Sequence, residues 1–386
     1  MTVSRLRNIP GIGVDKVGDA ADAAHDPSIL RLENLDTDLR PPAIAIDVSK
    51  VAIENDDANS YLPFQGHVSL REAAAAHVSR TALTPYDYRT QCVSVAGGLN
   101  GILNVLLATV EPGQEVVICD PMYAGLINRI HLVGGIPRFV SATPSPTGWH
   151  IDPDQLAASV GHNTAALLLM SPGMPTGLVL DETHWNALAP TVVQHQPWII
   201  YDAAMEHLRF DARSPSHPAS HPALTDRTIT VGSASKELRM IGWRVGWIVG
   251  PAEIMSDITL VGMANVVCQV GISQQAVAAA LSHPDCVAEI GTATAIWAAR
   301  HDHIVSALKG YPVVPAHGGW SLLIDTRPLG ITPAQVSQRL MTVGKIAATP
   351  MNGWGPSGEH YLRLVFANEP IERLHDIRQR FDAALG

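Results

Sequence analysis

The sequence predicts an α/β protein: a large domain with a mostly parallel, seven-stranded sheet between helices, plus a smaller α+β domain. Three observations predict it. Seven short apolar, β-branched runs alternate with longer stretches of helical period. The chain has 386 residues and 46% apolar content, enough for one large core and a second, smaller one. After the seventh run the alternation gives way to Pro-rich and helical sequence, followed by four shorter runs.

The seven runs are 91–95, 115–119, 137–140, 165–170, 198–202, 228–232 and 245–249. Sheets built by such alternation bind ligands beyond the carboxyl ends of their strands, so the residues just after each run are the candidates for chemistry. One long connecting helix is expected over 288–308, and runs 313–314, 321–324, 347–348 and 361–366 suggest the small sheet. The expected organisation is residues 1–40 joining the small domain, 41–287 as the large domain and 288–386 as the small domain. Loop 214–222 is expected to be a surface connection.

Composition excludes several classes. A net charge of −10 without a Lys/Arg cluster argues against nucleic acid as a partner. No apolar run is long enough to span a membrane, and Met1 to Val14 lacks the pattern of a secretory leader, so a cytoplasmic protein is expected. Cys92, Cys119, Cys268 and Cys286 are scattered without metal or disulfide spacing and read as reduced core residues. Of the 17 histidines, His217/His221 and His301/His303 form close pairs but read as solvated, and no metal site is expected.

The chemistry-bearing stretch is Thr230-Val-Gly-Ser-Ala-Ser-Lys236, a strand running into a Gly/Ser turn from which a lysine emerges, followed by Gly242-Trp-Arg244-Val-Gly246. Ser233, Ser235 and Arg244 offer a pocket for a dianion beside an amine. Asp202 closes a strand 34 residues before Lys236. Val95-Ala-Gly97-Gly98-Leu99 opens a helical stretch whose first N–H groups face a ligand, and Asp120-Pro-Met-Tyr123 follows another strand. Near the C-terminus stands Tyr361-Leu-Arg363-Leu-Val, preceded by Pro350-Met-Asn-Gly-Trp-Gly355.

Together these stretches, in this order, resemble the class I/II aminotransferases, fold-type I enzymes dependent on pyridoxal 5'-phosphate. The resemblance spans roughly residues 30 to 370. It implies a Schiff base on Lys236, with Asp202 keeping the cofactor's ring nitrogen protonated and Tyr123 stacked on the ring. Gly97, Gly98, Leu99, Ser233, Ser235 and Arg244 would hold the phosphate, and Arg363 would grip the substrate α-carboxylate. Tyr61, in Tyr-Leu-Pro-Phe-Gln-Gly66, would reach the phosphate of a neighbouring subunit, so a homodimer with shared sites is implied. The implied reaction moves the α-amino group of an amino acid to a 2-oxo acid.

Three departures stand out. In Ser171-Pro-Gly-Met174-Pro-Thr-Gly177, Met174 replaces an Asn that donates to the cofactor's phenolic oxygen, and Met205 replaces a Tyr donating to the same atom. Leu35 and Thr37 stand where the family has Gly and Pro in the loop facing the substrate carboxylate. Glu33, Asp36 and Asp38 in that loop are expected to be solvated. The altered phenolic edge leaves elimination, replacement, cyclisation or oxidative deamination as alternative outcomes on the same cofactor. A ligand-sensing regulator is disfavoured by the acidic chain. Without phenolate donors the Schiff-base proton is held more tightly. A pH titration of the cofactor-loaded protein should therefore show the long-wavelength protonated band persisting well above neutrality; its loss near pH 7 would refute this.

Overall fold

The computed structural model describes residues 3, 6, 7, 9, 11–211 and 213–386. The stretch Met1–Val14, read above as no secretory leader, lies partly outside the described residues. The central sheet contains β1 (Cys92–Val95), β2 (Glu115–Asp120), β3 (Ile136–Ser141), β4 (Thr164–Met170), β5 (Trp198–Asp202), β6 (Thr228–Ser233) and β7 (Gly246–Val249). Their order across the sheet is β1-β7-β6-β5-β4-β2-β3. Only β7 is antiparallel to its neighbours. Strands β4, β5 and β6 are buried almost end to end, as their unbroken apolar runs require of strands covered on both faces.

That topology decides where the site falls. The carboxyl ends of β1, β2, β4, β5 and β6 share one edge of the sheet, and antiparallel β7 begins there, so Arg244 arrives beside residues that follow β1 and β6.

A second sheet is antiparallel, in the order β8 (Val313–Val314), β9 (Ser321–Asp325), β11 (Tyr361–Val365), β10 (Thr349–Pro350). The single expected strand at 347–348 is divided. Ile346–Ala347 pairs in parallel with Leu30–Arg31, and Thr349–Pro350 turns to pair with β11. The N-terminal segment is thereby stitched to the C-terminal one, with Val365 N also donating to Leu32 O at 2.8 Å.

The connecting helix runs Pro284–Ala307, starting a turn earlier than expected. The reason is a cap: His283 accepts from Asp285 N through its ring, and Pro284 occupies the first helical position.

The histidine expectation is corrected. His217 is buried and sits 3.1 Å from Thr230 Oγ1, while His301 is buried and accepts Ala316 N at 3.0 Å. Loop 214–222 is accordingly more than a surface connection, since His217, Pro218 and Ala219 pack inward. Each imidazole is used locally as a hydrogen-bonding unit, which periodicity does not reveal.

Gly246 admits no side chain. A Cβ there would lie 2.7 Å from Gly232 O and 2.9 Å from Gly97 C, backbone atoms with nowhere to move. Gly246→Ala should destabilise the fold by about 1–3 kcal/mol through overpacking. A lower urea midpoint at unchanged slope would record it; an unaltered midpoint would contradict it.

Candidate active site

One cavity of about 250 Å³ collects residues from every strand end named above. Gly98 and Leu99 come from the turn after β1, Tyr123 from that after β2, and Met174 from the loop after β4. Asp202 closes β5, Met205 follows it, and Ser233, Ser235 and Lys236 follow β6. Arg244 precedes β7, Arg363 lies on β11, and Leu35 comes from the N-terminal loop. Two expected residues are not in the lining. Gly97 lies directly behind it, where a Cβ would come within 2.6 Å of an Arg244 nitrogen. Tyr61 stands outside, 82% exposed.

At the cavity centre the Lys236 amine is buried. It donates to Leu35 O at 3.0 Å and lies 4.6 Å from the centre of the Trp320 ring. Burial is the largest influence and pushes it down to about 7, helped by Arg363 and Arg244 and opposed by Asp36 and Asp202. Asp202 is pushed up to about 6, again mainly by burial, although its carboxylate accepts Ala204 N at 3.1 Å.

The end of the cavity beside β7 is built for an anion. Helix Gly98–Thr109 begins there without a side-chain cap, leaving its first N–H groups free. Ser233 Oγ and Ser235 Oγ are 3.0 Å apart, and Arg244 reaches Ser235 Oγ at 3.5 Å and Ile241 O at 2.9 Å.

The opposite end presents Arg363, 1% exposed and central in its sheet, between Leu323 and Thr349. Its guanidinium donates to Glu33 O and lies 4.8 Å from the Trp354 ring centre, while its Nε has no partner among the described residues. A buried guanidinium with an unused donor suits a carboxylate arriving from the cavity.

Met174 and Met205 are both buried in the lining, forming an apolar edge. Gly319, with a φ of 80°, lies beside that edge, where a Cβ would be in ordinary contact with Met205 sulfur at 3.4 Å.

The expectation of solvated loop carboxylates is corrected for Glu33, which is fully buried against Arg31 at 2.6 Å, whereas Asp38 is exposed as expected and also forms a two-point pair with Arg300 at 2.7 and 2.9 Å. They brace the loop that carries Leu35. Sequence reading also missed Trp320 and Trp354, the rings under Lys236 and Arg363. The pair Gly318-Gly319 ahead of Trp320 was the available signal, because Gly318 is closed to any side chain by Leu208 O at 2.3 Å. Behind the site, His77 and His207 approach Glu237; both Glu237 oxygens already accept from His207, at 2.8 and 3.0 Å.

The sequence profile of the family "Aminotransferase class I and II" matches residues 32–381, and the chain belongs to that family. It is a transferase that moves the amino group of an amino acid to a 2-oxo acid. It is 30% identical over 352 residues to an arginine–pyruvate transaminase of Pseudomonas aeruginosa, spanning 89% of this chain and 87% of that one. It is 32% identical over 344 residues to a probable N-succinyldiaminopimelate aminotransferase of Mycobacterium tuberculosis, spanning 83% and 86%. The solved structure of the N-succinyldiaminopimelate aminotransferase from that organism matches at a TM-score of 0.90 and 29% identity, covering 100% of each chain. A Thermus thermophilus aspartate aminotransferase with maleate matches in fold, with a TM-score of 0.92. Enzymes of this family depend on pyridoxal 5'-phosphate.

The lowered Lys236 value has a thermodynamic consequence. Between about 7 and the ordinary 10.5 the unfolded chain keeps a proton that the folded chain has lost. Stability of the cofactor-free protein should therefore rise with pH across that window, by up to ~1.4 kcal/mol per unit from this group. Lys236→Met removes the penalty, so the variant should be more stable than wild type at about pH 7.5 and its advantage should shrink by about pH 9.5. Urea unfolding of both cofactor-free proteins measures this, and a pH-independent difference would contradict it.

Proposed function

We propose that this aminotransferase holds pyridoxal 5'-phosphate at Lys236, whose amine would anchor the cofactor's aldehyde and carry the proton. The observation that carries this reading is a buried amine set between one acid and two arginine-lined anion sites. When bound, the cofactor supplies an aldehyde and a protonated ring that draws electrons from the substrate's α-carbon. The first N–H groups of the Gly98 helix, with Ser233, Ser235 and Arg244, hold the phosphate. Asp202 would keep the ring nitrogen protonated, and Tyr123 would supply an aromatic surface for the ring. Arg363 fixes the α-carboxylate and so turns the α C–H bond toward Lys236. Lys236 Nζ, with an affinity for protons near neutrality, takes the α-proton and later delivers it. Met174 and Met205 keep water from the phenolic edge.

The same reading includes a homodimer in which Tyr61 completes the neighbouring site; its exposure leaves the ring available to a second subunit. The division at 1–40, 41–287 and 288–386 is supported by the pairing of Leu30–Arg31 with Ile346–Ala347. A cytoplasmic location is supported by the unpaired, buried Cys92, Cys119 and Cys286.

Borohydride reduction followed by peptide mapping should attach the cofactor to Lys236 and nowhere else. Subunit sharing has its own check. Tyr61→Ala and Lys236→Ala proteins, each impaired alone, should regain activity when unfolded, mixed and refolded together, because a mixed dimer contains one intact site. Failure to regain activity while mixed dimers form would remove Tyr61 from the site.

A further inference from the structure

The reading above assigns every charged residue in the cavity lining. Asp202 and Arg244 meet the cofactor, Lys236 forms the imine, and Arg363 meets the α-carboxylate. What remains to surround a substrate side chain is mostly apolar, Ile12, Val14, Leu35, Leu99, Leu126 and Ile241, with the uncharged amide of Asn34 as a polar member. Arg129, on the neighbouring helix, is clasped to backbone, with Nε on Leu99 O at 2.8 Å and Nη1 on Gly125 O at 2.7 Å. Outside the lining stands Asp36, an acid that leans electrostatically on Lys236 and accepts Thr37 N at 2.8 Å.

We infer that both the amino donor and the 2-oxo acid acceptor are monocarboxylic, with no second carboxylate on the side chain. A second carboxylate would lose its hydration against these walls, find no uncommitted cation in the lining this chain supplies, and come under the influence of the nearby acid Asp36. The constraint reaches both substrates because ping-pong exchange brings them in turn to one site. The exchange balances without an outside oxidant. The donor's α-carbon gives up its hydrogen and amino group and becomes a ketone, while the acceptor's keto carbon gains both. Water consumed in the first half is released in the second.

This inference rests on the roles proposed for Lys236 and Arg363, and the experiment separates the two. Cofactor-loaded enzyme is supplied with L-leucine, L-methionine or L-phenylalanine as donor, against L-aspartate or L-glutamate. Acceptors are pyruvate and 4-methyl-2-oxopentanoate, against 2-oxoglutarate and oxaloacetate. Products are measured by chromatography. The monocarboxylic pairs should exceed the others in kcat/KM by about a hundredfold. Binding is read separately from tryptophan fluorescence, since Trp320 and Trp354 touch the cavity's lysine and arginine. Isocaproate should saturate that signal at concentrations where glutarate and maleate leave it unchanged. Preferred turnover of 2-oxoglutarate or aspartate, or tighter binding of glutarate, overturns the inference. Absence of turnover with every pair overturns the proposed roles instead, and the isocaproate-to-glutarate comparison then still decides the inference.

Discussion

The structure turns on one costly arrangement, a primary amine buried where it has little reason to be charged. Lys236 is largely withdrawn from bulk water, with a carbonyl acceptor and an indole face beside it and two guanidiniums near enough to push it further toward the neutral form. A neutral amine is a nucleophile, whereas an ammonium is not. Everything that keeps that amine dry is therefore part of the chemistry, including residues that never touch a substrate.

Keeping it dry requires parts of the chain that are far apart. The carbonyl comes from Leu35, in a loop braced by the Arg300–Asp38 pair and by Trp297 Nε1 donating to Thr37 at 3.3 Å. The indole comes from Trp320, which packs against Trp297 of the long helix with ring centres 5.0 Å apart. Arg363 is delivered by the second sheet and tied to the same N-terminal loop through Glu33 O. The N-terminal loop, the long helix and the second sheet thus close over a lysine presented by the first sheet. A displacement of any of them rehydrates the amine and raises its affinity for protons.

The gross layout was legible because its signals are local. Strands buried on both faces leave unbroken apolar runs, and all seven central strands fall within a residue or two of those runs. Asp202, Lys236 and Arg244 were legible because chemistry concentrates where such strands end. Other features depend on long-range closure and leave no periodic trace. His217 and His301 are buried against partners 13 and 15 residues away and the Glu33 carbonyl against Thr349 and Arg363, and polar letters in a sequence do not say whether such partners exist. Leu35 is instructive. Its side chain marks a departure from the family, yet its tie to Lys236 is made by the backbone carbonyl, which any residue type carries.

The charge pattern around the cavity also explains why Asp202 can sit so deep. In the free protein its carboxyl is held to about 6, because burial penalises the anion and the Ala204 N–H and Lys236 only partly compensate. A cationic N–H arriving opposite it would reverse that balance, stabilising the carboxylate and the cation together. Neither member of such a pair is comfortable alone in a dry cavity, so each strengthens the other's charge when they meet. The thioethers of Met174 and Met205 offer no comparable partner on their side. On the proposed roles, a ring nitrogen would be placed toward Asp202 and anionic groups toward the two arginines, and the phenolic oxygen would lie beside thioethers that donate no hydrogen bond to it.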